Sequence, residues 1–171
     1  MNSLSIVKQK ATYEKICEFK TAGCLYFPRE DISGVLHVIS STGELFQFND
    51  STSEQILSLN GQPNGLCFDA NGYVYVTDLN SNSIFFKQLS QTEGNPIIEH
   101  VIAKEFDGHP FKGPTSMSYN KEENTLYFSD SGFFENASLA PFDCAIYSID
   151  LETRVLRKVL GNLSFVNDIC Y

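Results

Sequence analysis

Six side chains in this sequence have types and spacings that could serve chemistry. Asn64, Thr115 and Asn167 each stand one residue after Pro63, Pro114 and Val166, at intervals of 51 and 52 residues. Asp78 and Asp130 follow Pro63 and Pro114 by 15 and 16 residues. Oxygens of these kinds, gathered on one axis, coordinate a hard divalent cation. A cation so held polarises a carbonyl, and a neighbouring carboxylate activates water. The competing reading is structural, because Asn and Asp at strand ends accept hydrogen bonds from free backbone N–H groups. That reading is preferred for Asp78 and Asp130, while Asn167 is open to both. His109, beside Pro110, is the histidine expected nearest the same mouth, with a loop imidazole held by backbone as its alternative. No residue is assigned a catalytic role.

The elements that must position these groups are short strands. Gly61 to Asp78 reads as strand, tight turn, strand; Lys112 to Asp130 reads the same way, and Phe165 to Tyr171 begins the pattern again. Repeats of this length with four short strands each point to β-propeller blades. The fold class is therefore all-β, an incomplete ring over residues 21–171. Its blades are expected at 21–60, 61–111 and 112–164, with the first strand of a fourth at 165–171. In the weaker first copy, Cys24 is set against Pro63 and Ile39 against Asp78. Residues 1–20 precede the blades as a segment that reads either as a closing strand, which would hide an exposed sheet edge, or as a short helix from Ile6 to Cys17. Asp69-Ala70-Asn71-Gly72 reads as a hairpin turn, since Asn-Gly tolerates positive φ. If each innermost strand runs downward, Asn64, Thr115, Asn167, Asp78 and Asp130 face the upper mouth of a central channel, with His109 close to it. The insert from Ser131 to Pro141 lies there as a wall or lid.

Composition narrows the partners. A net charge of −9 with no basic patch excludes nucleic acid as a partner class. No apolar run reaches the roughly 18 residues a membrane span needs. Five cysteines, an odd number without metal-type spacing, fit a reducing compartment, so a cytoplasmic protein is expected. Cys67 and Cys170 hold the same repeat position and read as small buried hydrophobes. The end within a strand at Tyr171 is expected of a fragment; if three blades were the whole product, a dimer would complete the ring.

Gln62-Pro63-Asn64-Gly65, the hairpin at Asp69 to Gly72 and Tyr75-Val76-Thr77-Asp78 resemble the regucalcin and gluconolactonase family of six-bladed propellers. Phe106-Asp107-Gly108, Lys112-Gly113-Pro114 and Tyr127-Phe128-Ser129-Asp130-Ser131-Gly132 are the more specific part of that resemblance. It covers roughly residues 23 to 171, the front half of such a ring. The resemblance implies one divalent cation (calcium, zinc or manganese) and hydrolysis of a sugar lactone or related ester. It places the metal-binding Asn at Asn167 and a substrate-contacting residue at Thr115. The first-blade Glu it requires should fall near Ala22-Gly23-Cys24 and is missing, and Glu18 is several residues early. The third ligand, an Asp, falls beyond Tyr171. The rival function is a non-catalytic propeller that presents its upper face to a protein or small ligand.

Overall fold

The computed structural model describes residues 23–49, 52–90, 96–132, 144–164 and 166–171. The closing strand or helix expected in residues 1–20 and most of the insert after Ser131 lie outside them. Three four-stranded antiparallel sheets follow one another along the chain. The first holds β1 (Leu25–Glu30), β2 (Leu36–Ser40), β3 (Glu44–Asn49) and β4 (Thr52–Ser58). The second holds β5 (Pro63–Phe68), β6 (Tyr73–Asp78), β7 (Ser83–Gln88) and β8 (His100–Ala103). A hairpin of β9 (Glu105–Phe106) and β10 (His109–Pro110) comes next. The third sheet holds β11 (Pro114–Asn120), β12 (Thr125–Asp130), β13 (Cys144–Asp150) and β14 (Leu156–Leu163). Within each sheet, spatial order equals chain order.

Alternation along the strands explains the stacking. In β6, Val74 and Val76 enter the core shared with Ile39, Leu45 and Leu57 of the first sheet. Tyr75, between them, enters the core shared with Met117, Leu126, Phe128 and Tyr147 of the third. A strand with period-two side chains that is apolar on both faces must lie in a middle layer. The second sheet is that layer. Sheets then pack face to face, and β1, β5 and β11 become neighbours.

Each sheet carries an acid or amide in its first hairpin turn. Asp69 Oδ1 accepts from the N–H groups of Asn71 and Tyr73, both at 2.9 Å, and Gly72 has a φ of 77°. Its Oδ2 accepts from the Tyr75 hydroxyl at 3.0 Å. Asp31 serves Ser33 N and Val35 N in the first sheet, and Asn120 serves Glu122 N and Glu123 N in the third. This is local turn chemistry, in which a short polar side chain replaces a missing backbone acceptor.

His37 occupies the place in the first sheet that Tyr75 holds in the second. It is buried, 4.7 Å from the Phe68 ring; its Nδ1 donates to Val35 O at 2.9 Å, and Nε2 lies 3.9 Å from Asp31 Oδ2. Burial holds its pKa below the ordinary 6.5, against the opposing pull of Asp31. The unfolded chain therefore binds this proton more readily than the folded one. Stability from His37 is full above about pH 6.5 and is lost as pH falls through the depressed folded value. Urea unfolding at about pH 7.5 and pH 5.5 should show the wild type losing more stability than His37→Gln; equal losses would overturn the assignment.

Register corrects two expectations. Leu25 pairs with Ser40 as Pro63 pairs with Asp78 and Pro114 with Asp130. The first repeat therefore aligns Leu25, not Cys24, with Pro63, and Ser40, not Ile39, with Asp78. The hairpin of β9 and β10 was not expected, although Asp107-Gly108, with φ values of 53° and 75°, is a strong turn signal.

Candidate functional site at the ends of the inner strands

The inner strands carry one irregularity each near their starts, at Asn64 in β5 and after Pro114 in β11. A bulge there bends the strand and lets its first residues meet the neighbouring strand. Thr77 Oγ1 donates to Thr115 O at 2.8 Å, tying the top of the second sheet to the top of the third. Thr115 is buried and its own hydroxyl donates to Gly113 O at 2.8 Å. Asn64 is partly buried, and its Nδ2 is enclosed without a hydrogen-bond partner among the described residues. Asn167 is exposed. Its neighbours fix it against β11 and the end of β12: Ser131 Oγ donates to Val166 O, and Ser116 Oγ to Asp168 Oδ1. Asn64, Thr115 and Asn167 thus stand at the same end of three successive chain segments.

Asp78 and Asp130 stand at that end too, but their oxygens are occupied. Asp78 accepts from Gln62 N at 2.5 Å, Ser81 N at 2.9 Å and Ser81 Oγ at 2.6 Å. Asp130 Oδ1 accepts from Lys112 N at 3.0 Å and Gly113 N at 2.7 Å. Burial pushes the Asp130 carboxyl above the usual range, and the N–H groups of Lys112, Gly113 and Gly132 oppose it. In the first sheet the same service falls to a hydroxyl, with Cys24 N donating to Ser41 Oγ at 3.1 Å. These carboxylates hold the connection that leads into each inner strand. His109 is exposed on β10, and Phe106 of the same hairpin packs on Tyr147 of β13, 5.2 Å between ring centroids.

This donor set does not fit a divalent cation. Affinity of an oxygen site follows its count of charged ligands. The two carboxylates are committed to N–H groups, Thr115 and Asn167 are neutral, and Tyr26 occupies the first-sheet position that matches Asn64. No reaction step is therefore derived through a metal here.

A cavity of about 360 Å³ opens at the opposite ends of the inner strands. Counted from Leu25, Pro63, Pro114 and Val166, the fifth residues are Arg29, Cys67, Ser118 and Cys170, and all four line it. Glu30, Phe68 and Tyr119, the sixth residues, join them, with Met117, Asp168 and Ile169. Burial pushes the Cys67 thiol up to about 12, so it is an inert wall at neutral pH. Sequence reading missed this end because it followed Asn and Asp; the repeat position shared by Cys67 and Cys170 was the available signal.

Successive antiparallel four-stranded sheets with converging inner strands define a β-propeller, and solved structures agree. A gluconolactonase from Xanthomonas campestris matches with a TM-score of 0.59 at 14% identity, over 75% of this chain and 44% of that one. A Bacteroides thetaiotaomicron protein of unknown function matches with a TM-score of 0.65 at 15% identity, over 91% and 44%. Among curated proteins, STRICTOSIDINE SYNTHASE-LIKE 6 of Arabidopsis thaliana is 29% identical over 128 residues, and STRICTOSIDINE SYNTHASE-LIKE 4 is 30% identical over 128. The chain spans about a third of the length of these relatives, 33% in each case. No family model matches the sequence.

Proposed function

We propose that the chain forms the front part of a six-bladed, gluconolactonase-like propeller that holds a small organic molecule in its axial channel. It supplies channel wall and not reacting charges. The observation that carries this reading is the commitment of Asp78 and Asp130 to backbone donors. Hydrolysis of a lactone or ester, as the gluconolactonase resemblance implies, would need carboxylates from residues other than those described. Titrating calcium, zinc or manganese into the protein, followed by calorimetry, should give no saturable heat in the micromolar range typical of built sites. Gluconolactone should open no faster than in buffer. Metal-dependent ring opening that Asn167→Ala abolishes would overturn the proposal and restore Asn167 as a ligand.

A further inference from the structure

Among the described residues that line the cavity at the lower ends of the inner strands, one is a cation, Arg29. Its side chain is partly buried, and its hydrogen bond among the described residues is from Nη1 to the adjacent Pro28 O at 3.2 Å. A guanidinium offers five N–H donors in a rigid planar fork. Most of the Arg29 donors therefore lack a partner among the described residues, and they lie beside a cavity. The irregularity between Tyr26 and Arg29, with Phe27 at a φ of 52°, shifts the strand register and turns Arg29 into line with Cys67 and Ser118. A non-glycine residue with positive φ is unfavourable and persists only where packing holds it.

We infer that this cavity binds a small organic monocarboxylate, with the carboxylate on the Arg29 fork and the apolar body against Phe68, Met117 and Ile169. A fork of N–H donors matches two coplanar carboxylate oxygens and binds them in parallel. The rest of the wall is largely apolar and sulfur-bearing, and a volume of about 360 Å³ suits a small ligand body. Glu30 and Asp168 also line the cavity, so the wall opposes added negative charge in proportion to that charge; a singly charged carboxylate that gains the Arg29 fork is opposed less than a multiply charged anion such as phosphate. Asp168 is held by Ser116 Oγ and by Ile169 N, which keeps it on the strand side.

The inference rests on the channel being a small-molecule site, and the test separates the two. Benzoate, its neutral isostere benzamide and inorganic phosphate are each titrated into the protein and into Arg29→Lys and Arg29→Met, with calorimetry or amide chemical shifts as readout. Benzoate should saturate, benzamide should bind about tenfold more weakly and phosphate should not bind; a charge-assisted hydrogen bond is of that size. Arg29→Met should lose about tenfold in benzoate affinity with no change for benzamide, and Arg29→Lys should fall between. Bound benzoate should also slow maleimide labelling of Cys170, which lines the cavity and is exposed. Equal binding of benzoate and benzamide, or an unchanged benzoate affinity in Arg29→Met with a normal melt, overturns the Arg29 assignment alone. Absence of saturable binding by all three probes overturns the small-molecule channel as well.

Discussion

Gly65→Ala is expected to destabilise the protein by about 3 kcal/mol or more, as overpacking between rigid backbones does. A Cβ at this position would lie 2.0 Å from Thr115 O and 2.8 Å from Thr77 Oγ1. The first of these atoms is backbone in the next inner strand. It cannot swing aside cheaply, because it accepts the Thr77 hydroxyl at 2.8 Å. The methyl must push β5 and β11 apart at the point where the second and third sheets meet. Gly72→Ala is the matched control. It has open space around it and a φ of 77°, so only backbone strain of about 1 kcal/mol is expected. Urea unfolding of both variants measures the difference. A Gly65→Ala protein within 1 kcal/mol of wild type would mean that the inner strands do not converge as described.

Asp130→Ala should cost about 3 kcal/mol, the largest effect expected from a polar side chain here. The substitution strands Lys112 N and Gly113 N, which now donate to Asp130 at 3.0 and 2.7 Å, in a place where water has little access. Unpaired buried donors lose their full solvation without return. Asp130→Asn should be milder, about 1 kcal/mol. One amide oxygen can replace Oδ1, which takes both of those donors, and the neutral group escapes the burial penalty that raises the carboxyl's pKa. The sign follows from that raised value. Below the unfolded value of 3.8 the folded protein keeps Asp130's full contribution, and it loses part of it as pH rises through the folded value. The wild type's advantage over Asp130→Asn should therefore shrink as pH rises from about 3.8. If Asp130→Ala unfolds at the wild-type denaturant midpoint, the carboxylate is not holding the connection and becomes available as a ligand.

Much of the framework was legible because it depends on local pattern. The recurrence of Pro63 and Pro114, the Asp69 to Gly72 turn and the alternating apolar residues of β6 each state a short-range preference. The same holds for the backbone reading of Asp78 and Asp130, since the groups that donate to them lie next to the ends of one blade's first two strands. The first repeat was misplaced by one residue because it lacks both the proline and the aspartate. Leu25 and Ser40 sit in those places, and only hydrogen-bond register reveals it. His109 was expected near the mouth from its nearness in sequence to β11; the hairpin that carries it packs on Tyr147 of β13 through Phe106.

By itself, then, the sequence determined most of the strands of the three sheets and their first turns, because period-two burial and turn chemistry act over a few residues. What tertiary structure alone decided is which end of the inner strands lines a cavity. That choice depends on where bulges fall in β1, β5 and β11, and on which oxygens backbone donors already occupy. Such facts arise between strands some fifty residues apart, where no short-range preference reaches. Asn64 drew attention as an amide at a repeated position and Arg29 did not, yet packing closed around the first and left the second facing a cavity.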